Sequence, residues 1–214
     1  TDEDGNTTHA VESKENKNKK GFVVNADANH AVNDISITAG VGASSATGVA
    51  ADATVVINTI GGKTGATVSN SNINKEATEL TNADVSVTAY DKADINSHLG
   101  TLAVGASGTA GVGAAGAGDR NTVSRETVAE ITSTDTNKNT LNAHDASVKA
   151  LGETKIHVSE SGVAAGASGA GAAAAIGSVS DDHFTSQTKA LISGMKGTVH
   201  NLDVNAQRLA DVKT

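Results

Sequence analysis

Three glycines, Gly111, Gly113 and Gly116, spell GVGAAG, the G-x-G-x-x-G pattern that cradles a dinucleotide pyrophosphate between a strand and a helix. Here the segment that follows has strand-like alternation, and the next copy of the same line reads AAAAIG. A phosphate site would not be one variant of a tolerant small-residue line, so these glycines are assigned to packing. Gly62, Lys63 and Thr64 look like the end of a P-loop, but that loop's first glycine would fall on Ile57. They are read as a turn entering a strand. Asp135, Asn137 and Asn139 copy half a calcium loop, whose required glycine and closing glutamate are Thr140 and Ala146. That stretch is read as an Asn/Asp-rich turn. The seven histidines (9, 30, 98, 144, 157, 183 and 200) never fall at ligand-like spacing. Asp182 beside His183 suggests a base, with no identifiable serine nucleophile to serve. The expectation is no catalytic residue, no cofactor-binding residue, no metal ligand and no enzyme.

The composition narrows the classes further. The chain has 214 residues, with 23 Gly, no Pro, no Cys, no Trp, 2 Phe and 1 Tyr. Ordinary cores are centred on several bulky rings, because each ring removes a large apolar area from water. Here the apolar share is mostly Ala and Val, which pack well only where backbones approach closely and regularly. A net charge of −8 argues against nucleic acid, since a binder needs Lys and Arg to displace phosphate counterions. The charged stretch 1–20 is read as a solvated segment or long edge loop, and no signal peptide is visible in it. Without cysteine there are no disulfides and no thiol nucleophile. The stretch GVAAGASGAGAAAAIG (162–177) is too short and too rich in Ala and Gly for the roughly 20 apolar residues of a spanning helix. No membrane span is expected.

The elements that position these residues are set by a repeat. Val87–Ile131 aligns without a gap on Val148–Ile192 at a shift of 61, placing Ile95 on Ile156, LAVGASG on VAAGASG and Gly116 on Gly177. An earlier copy lies at a shift of 63, where VGAS (41–44) meets VGAS (104–107) and NTIGGKTGATV (58–68) meets NTVSRETVAEI (121–131). The copies span about 21–75, 76–137 and 138–200, and a fourth begins at 201–214. Within each, apolar and β-branched residues alternate with period two. Thr127, Ala129 and Ile131 face one way, with Val128 and Glu130 opposite; Val85, Val87 and Ala89 do the same, with Ser86 and Thr88 opposite. Turns are expected at 70–75, 135–139 and 180–182. With no helical crossovers, the predicted fold is an all-β parallel β-helix over 21–214, with roughly three coils of about 20 residues in each 61–63-residue repeat. Its stacked interior is expected to hold Val87, Ala89, Ile95, Thr127, Ala129 and Ile131, and in the next copy Val148, Ala150, Ile156, Thr188, Ala190 and Ile192.

The recurring line A-x-G-A-S-G…G-A-x-x-G, followed by N-T-V-x-x-x-T-x-A-x-I, resembles the passenger repeats of large Gram-negative type V secreted adhesins. These include haemagglutinins and leukotoxin-like autotransporters. The residues that carry the likeness are Gly105–Gly118 with Asn121, Thr127, Ala129 and Ile131, and their counterparts at 42–68 and 166–192. The resemblance implies a single-stranded, right-handed β-helix, projecting from the cell surface and anchored in the outer membrane through a part of the chain not present here. It implies a virulence-associated adhesin that presents attachment to a host-cell or bacterial surface receptor, protein or glycan. It also fits the missing cysteines, since such passengers cross the outer membrane unfolded. Two other classes share this pattern: a pore-forming or cytotoxic autotransporter, and a β-helix enzyme acting on polysaccharide. The second would need paired carboxylates and sugar-stacking rings, which three aromatics supply poorly. Recognition is expected in the turns near 69–75, 132–139 and 179–183 and in the charged N-terminal segment. The broken ends of such a rod expose unpaired strand edges, which favour end-to-end self-association.

Overall fold

The computed structural model describes residues 21–76, 80–81, 83–135 and 138–214. The expected polar segment 1–20 lies outside them. The described chain forms eight strands: β1 Phe22–Ser44, β2 Thr47–Ser69, β3 Val85–Ser107, β4 Ala110–Thr132, β5 Ala143–Ser168, β6 Gly171–Phe184, β7 Gln187–Ser193 and β8 Val199–Lys213. They build two parallel sheets, one ordered β1-β3-β5-β8 and the other β2-β4-β6, with β7 continuing on β4 beyond β6. The architecture is an all-β parallel solenoid.

The gapless sequence shifts are the hydrogen-bond register itself. Val41–Ser44 pairs with Val104–Ser107, Asn58–Val68 with Asn121–Ile131, Ile95 with Ile156 and Gly116 with Gly177. Residues one repeat apart are therefore stacked neighbours, and every coil buries the same inward positions against the next.

The number of strands per repeat differs from expectation. One repeat is one coil, made of two strands of about 23 residues rather than three coils of about 20. The alternation runs unbroken along each strand, and the glycines that resemble coil corners lie within strands. Real corners are of two kinds. At one end a two-residue link, such as Ser45–Ala46 or Gly108–Thr109, carries the chain directly from one sheet to the other. At the other end the chain crosses by longer connections, 70–84 and 133–142, part of which lies outside the described residues. Each coil is thus a flattened arch.

Inward side chains shrink from the wide end of the arch to the narrow one. Near the long turns the core holds Val85, Val87, Ala89, Ala129, Ile131 and Val148. Halfway along it holds Ile95, Val123 and Ile156, and toward the tight link Ala50, Ala103 and Ala115. Beyond these only glycine fits. A Cβ on Gly105 would stand 2.0 Å from the Val112 carbonyl oxygen, and one on Gly166 2.4 Å from that of Ala173. Stacked sheets ordinarily lie about 10 Å apart; here the backbones of opposite walls touch. Gly162–Gly177, which is too poor in bulk for an ordinary core, is the narrow end of the third arch.

Three further expectations change. Residues 180–182, read as a turn, lie inside β6, and 62–64, read as a turn entering a strand, lie inside β2. Val128, expected on the outer face, is only 2% exposed, between its register neighbours Gly65 and Lys189.

Candidate functional site

Of the twelve residues expected inside, Val87, Ala89, Ile95, Thr127, Ala129, Ile131, Val148, Ala150 and Ile156 are buried. Thr188, Ala190 and Ile192 share their register with Thr127, Ala129 and Ile131 but are half-buried, because β7 is the last strand on its sheet. All twelve are structural.

The residues that tempted a chemical reading are scattered. Gly111 and Gly113 face the opposite wall, where a Cβ would meet the carbonyl oxygens of Ala167 and Ala165 at 2.3 and 2.4 Å. Neither lies in a strand-to-helix turn, and no described residue is helical. Gly62 has φ +123, and a Cβ there would lie 2.7 Å from Arg125 Nη1. The glycine pair instead makes room for the arginine of the next coil, whose Nη1 donates to the Gly61 carbonyl at 2.6 Å. Asp135 pairs with Lys138 at 3.1 Å, and Asn139 accepts from Ser133. Asp182 points inward and accepts from Asn121 at 2.9 Å. His183, one residue on along the strand, is exposed. They form no dyad.

Two polar systems inside the arch escaped sequence reasoning. The first is an ion pair. Arg125 Nε and Nη2 donate to the two Asp91 carboxylate oxygens at 2.9 and 2.5 Å, while Nη2 also reaches Thr64 Oγ1 at 3.0 Å. Thr64 in turn donates to Asp91 at 3.0 Å. The second is an amide ladder. Asn58 donates to Asn121 and Ser97, both at 3.0 Å, and Asn121 donates to Asp182 and Asp119. Asn58, Asn121 and Asp182 occupy one register position in successive coils, and the identity of Asn58 and Asn121 was the only sequence signal for it.

Close by, Glu160 meets Asp119. One oxygen of each is buried without a hydrogen-bond partner. Burial raises the Glu160 pKa; a hydrogen bond from Ser178 pulls it down, and the Asp119 carboxylate raises it again. A carboxyl whose folded pKa is raised stabilises the fold below its ordinary pKa, and that contribution is lost as pH rises through the raised value. Glu160→Gln should therefore flatten the decline of the urea midpoint as pH rises above the ordinary carboxylate range. An unchanged slope would place the titration elsewhere.

On the outside, opposite charges in successive coils sit beside each other: Lys63 with Glu126 at 3.1 Å, Arg120 with Asp181 at 2.9 Å and Lys149 with Asp203 at 2.6 Å. Exposed pairs of this kind contribute little individually, but they favour one stacking register over others. The first sheet also carries a shallow outer groove of about 380 Å³ where Gly100 leaves a gap between Ile37 and Ser161, flanked by His98, Leu102 and Val163. The long turns are knitted coil to coil. Asn70 accepts from Thr134, Asn72 from the Thr140 amide, and Asn74 and Asn142 exchange side-chain bonds to each other's carbonyls. Asn70 and Asn74 adopt φ 52, the left-handed region asparagine tolerates. Ser71, Lys75, Asp135 and Lys138 are among the exposed side chains of the described turn residues.

Only one group of His, Asp or Glu among the described residues brings three ligand atoms together: Asp84, His144 and Asp145, all within 4.8 Å of one another. It lies where β3 and β5 begin, beside the long turns.

Comparison with family models, with curated proteins and with solved structures returned no match. The fold and the stacking define the class: a parallel β-solenoid whose repeat is a two-stranded coil.

Proposed function

We propose that this chain is a rod segment of a bacterial surface adhesin, a non-catalytic solenoid that carries attachment loops away from the cell. The observation that supports this best is the commitment of repeat-conforming positions to stacking. Over 23 consecutive register pairs, β2 and β4 commit their inward side chains to packing and polar ladders, and Lys63 pairs with Glu126 between the same coils on the outer face. Such a body gains length by adding coils, each contacting only its neighbours, and serves as a scaffold for loops. The likeness to type V passenger repeats supports placement at the cell surface, with an outer-membrane anchor elsewhere in the parent chain. A surface receptor, protein or glycan, is then the partner.

The test is attachment of beads coated with the protein to host cells and to other bacteria. The outward turn residues Ser71, Lys75, Asp135 and Lys138 are replaced while the structural asparagines are kept. Attachment is expected to fall to the level of uncoated beads. If it survives these changes and vanishes when outer strand positions such as Ile37 and Leu102 are altered, recognition lies on the sheet face. Beads that never attach would make the segment a plain spacer, and dye release from liposomes would favour the pore-forming reading.

A further inference from the structure

The stacking of charge along the outer surface follows a rule with one exception. In the parallel ladder of the first sheet, Asp94 lies beside Lys155, and Lys155 beside Asp211. Lys92 lies beside Glu153, and in the second sheet Lys63 lies beside Glu126. Among the described strand pairings, no two carboxylates share a register position. One step before the ladder opens at Val85 and Ala146, however, Asp84 meets Asp145. The two are held together: the Asp145 amide donates to Asp84 Oδ1 at 3.3 Å. Like charges directly opposite each other destabilise a sheet.

What surrounds the pair is imidazole. His144 Nδ1 lies 3.0 Å from Asp145 Oδ1, and its ring lies 5.3 Å from that of His200, tilted by 57° and set between the register pairs Ala143–Val199 and Asp145–Asn201. Asn201 donates to Asp145 at 2.8 Å and orients that carboxylate. A cleft of about 180 Å³, lined by Phe22, Asp84, Ser86 and Asp145 among others, opens on the same carboxylates.

We propose that Asp84, Asp145 and His144, with His200 within reach, bind a first-row divalent transition ion such as zinc. Two carboxylates with one or two imidazoles form a mixed oxygen and nitrogen set, which suits zinc and its neighbours better than magnesium or calcium. The cation neutralises the one like-charge stack and ties together the second, third and fourth coils, because β3, β5 and β8 each supply or flank a ligand. The site is assembled by coil stacking alone. Its residues lie 60 and 56 positions apart in sequence, so no local spacing announces it.

The test is calorimetric titration of zinc chloride into the EDTA-stripped full chain, with thermal unfolding run in parallel. One saturable ion per chain is expected, together with a rise in Tm that EDTA reverses. His144→Ala and Asp84→Asn should each weaken binding at least ~10-fold, given that loss of even an outer partner of a metal ligand costs 10–100-fold. Asp84→Asn carries a second signature. In the absence of metal it should melt no lower than the parent, because it relieves the carboxylate repulsion, yet at the same zinc concentration its Tm should rise less than the parent's. The double variant His98→Ala/His157→Ala, which removes the other histidine pair, should bind like the parent. Absence of saturable binding, or binding lost with His98 and His157 instead of with His144, would overturn the proposal.

Discussion

Replacing Arg125 with methionine should lower the free energy of unfolding by roughly 3–5 kcal/mol, the scale seen when one partner of a buried ion pair is removed. The side chains of Arg125 and Asp91 are 5% and 2% exposed, so water cannot take the arginine's place beside the carboxylate. Methionine fills much of the volume but leaves Asp91 with Thr64 as its remaining side-chain donor. It also leaves the Gly61 carbonyl without the Nη1 bond that Gly62's left-handed backbone makes room for. The measurement is urea unfolding of Arg125→Met, Asp91→Asn and the double variant. The double should lose much less than the sum of the singles, because it no longer buries an unpaired charge. Strictly additive losses would show that the two residues do not act as a unit.

Adding a single methyl group at Gly105 should be nearly as damaging, costing about 3 kcal/mol or more. Overpacking usually costs 1–3 kcal/mol when side chains can yield. Here the obstacle is backbone: the new Cβ would stand 2.0 Å from the Val112 carbonyl oxygen and 2.8 Å from the Val112 nitrogen. Relief requires the two sheets to part at the narrow end of the arch, and the register carries that strain to Gly42 and Gly166 in the coils on either side. The control is Gly177→Ala, where the new methyl meets nothing within 4 Å. That change should be neutral or stabilise by about 0.5–1 kcal/mol, since glycine in a strand interior is conformationally costly. A domain of this size shifts in Tm by about 2–4 °C per kcal/mol, so the two variants should separate clearly in a thermal scan. Equal melting temperatures would mean that the narrow end is looser than the contacts indicate.

Both effects show why some of the structure was legible beforehand and some was not. The register could be read because parallel stacking places residues one repeat apart beside each other, and the same side chains keep being selected at the same positions. Ile95 on Ile156 and Asn58 on Asn121 are contacts seen first as sequence identities. The coil shape could not be read that way. Gly105 and Gly113 look like corners because glycine permits corner geometry, whereas their purpose is to let straight strands meet across the arch. Period-two alternation says which face a residue takes but not where the chain changes sheets, so 180–182 looked like a turn and lies in β6.

By itself, the sequence determined the all-β class, the parallel register and nine fully buried interior residues, because each follows from local alternation repeated at a fixed interval. Only the tertiary structure decided what the two sheets bring face to face. It set Arg125 against Asp91 34 residues away and Glu160 against Asp119. None of these pairs lies at a shift of 61 or 63. They depend on how the chain folds back from one sheet to the other. A repeat specifies its neighbours along the stack through identity, but contacts across the arch join unlike residues and appear only once the chain has closed.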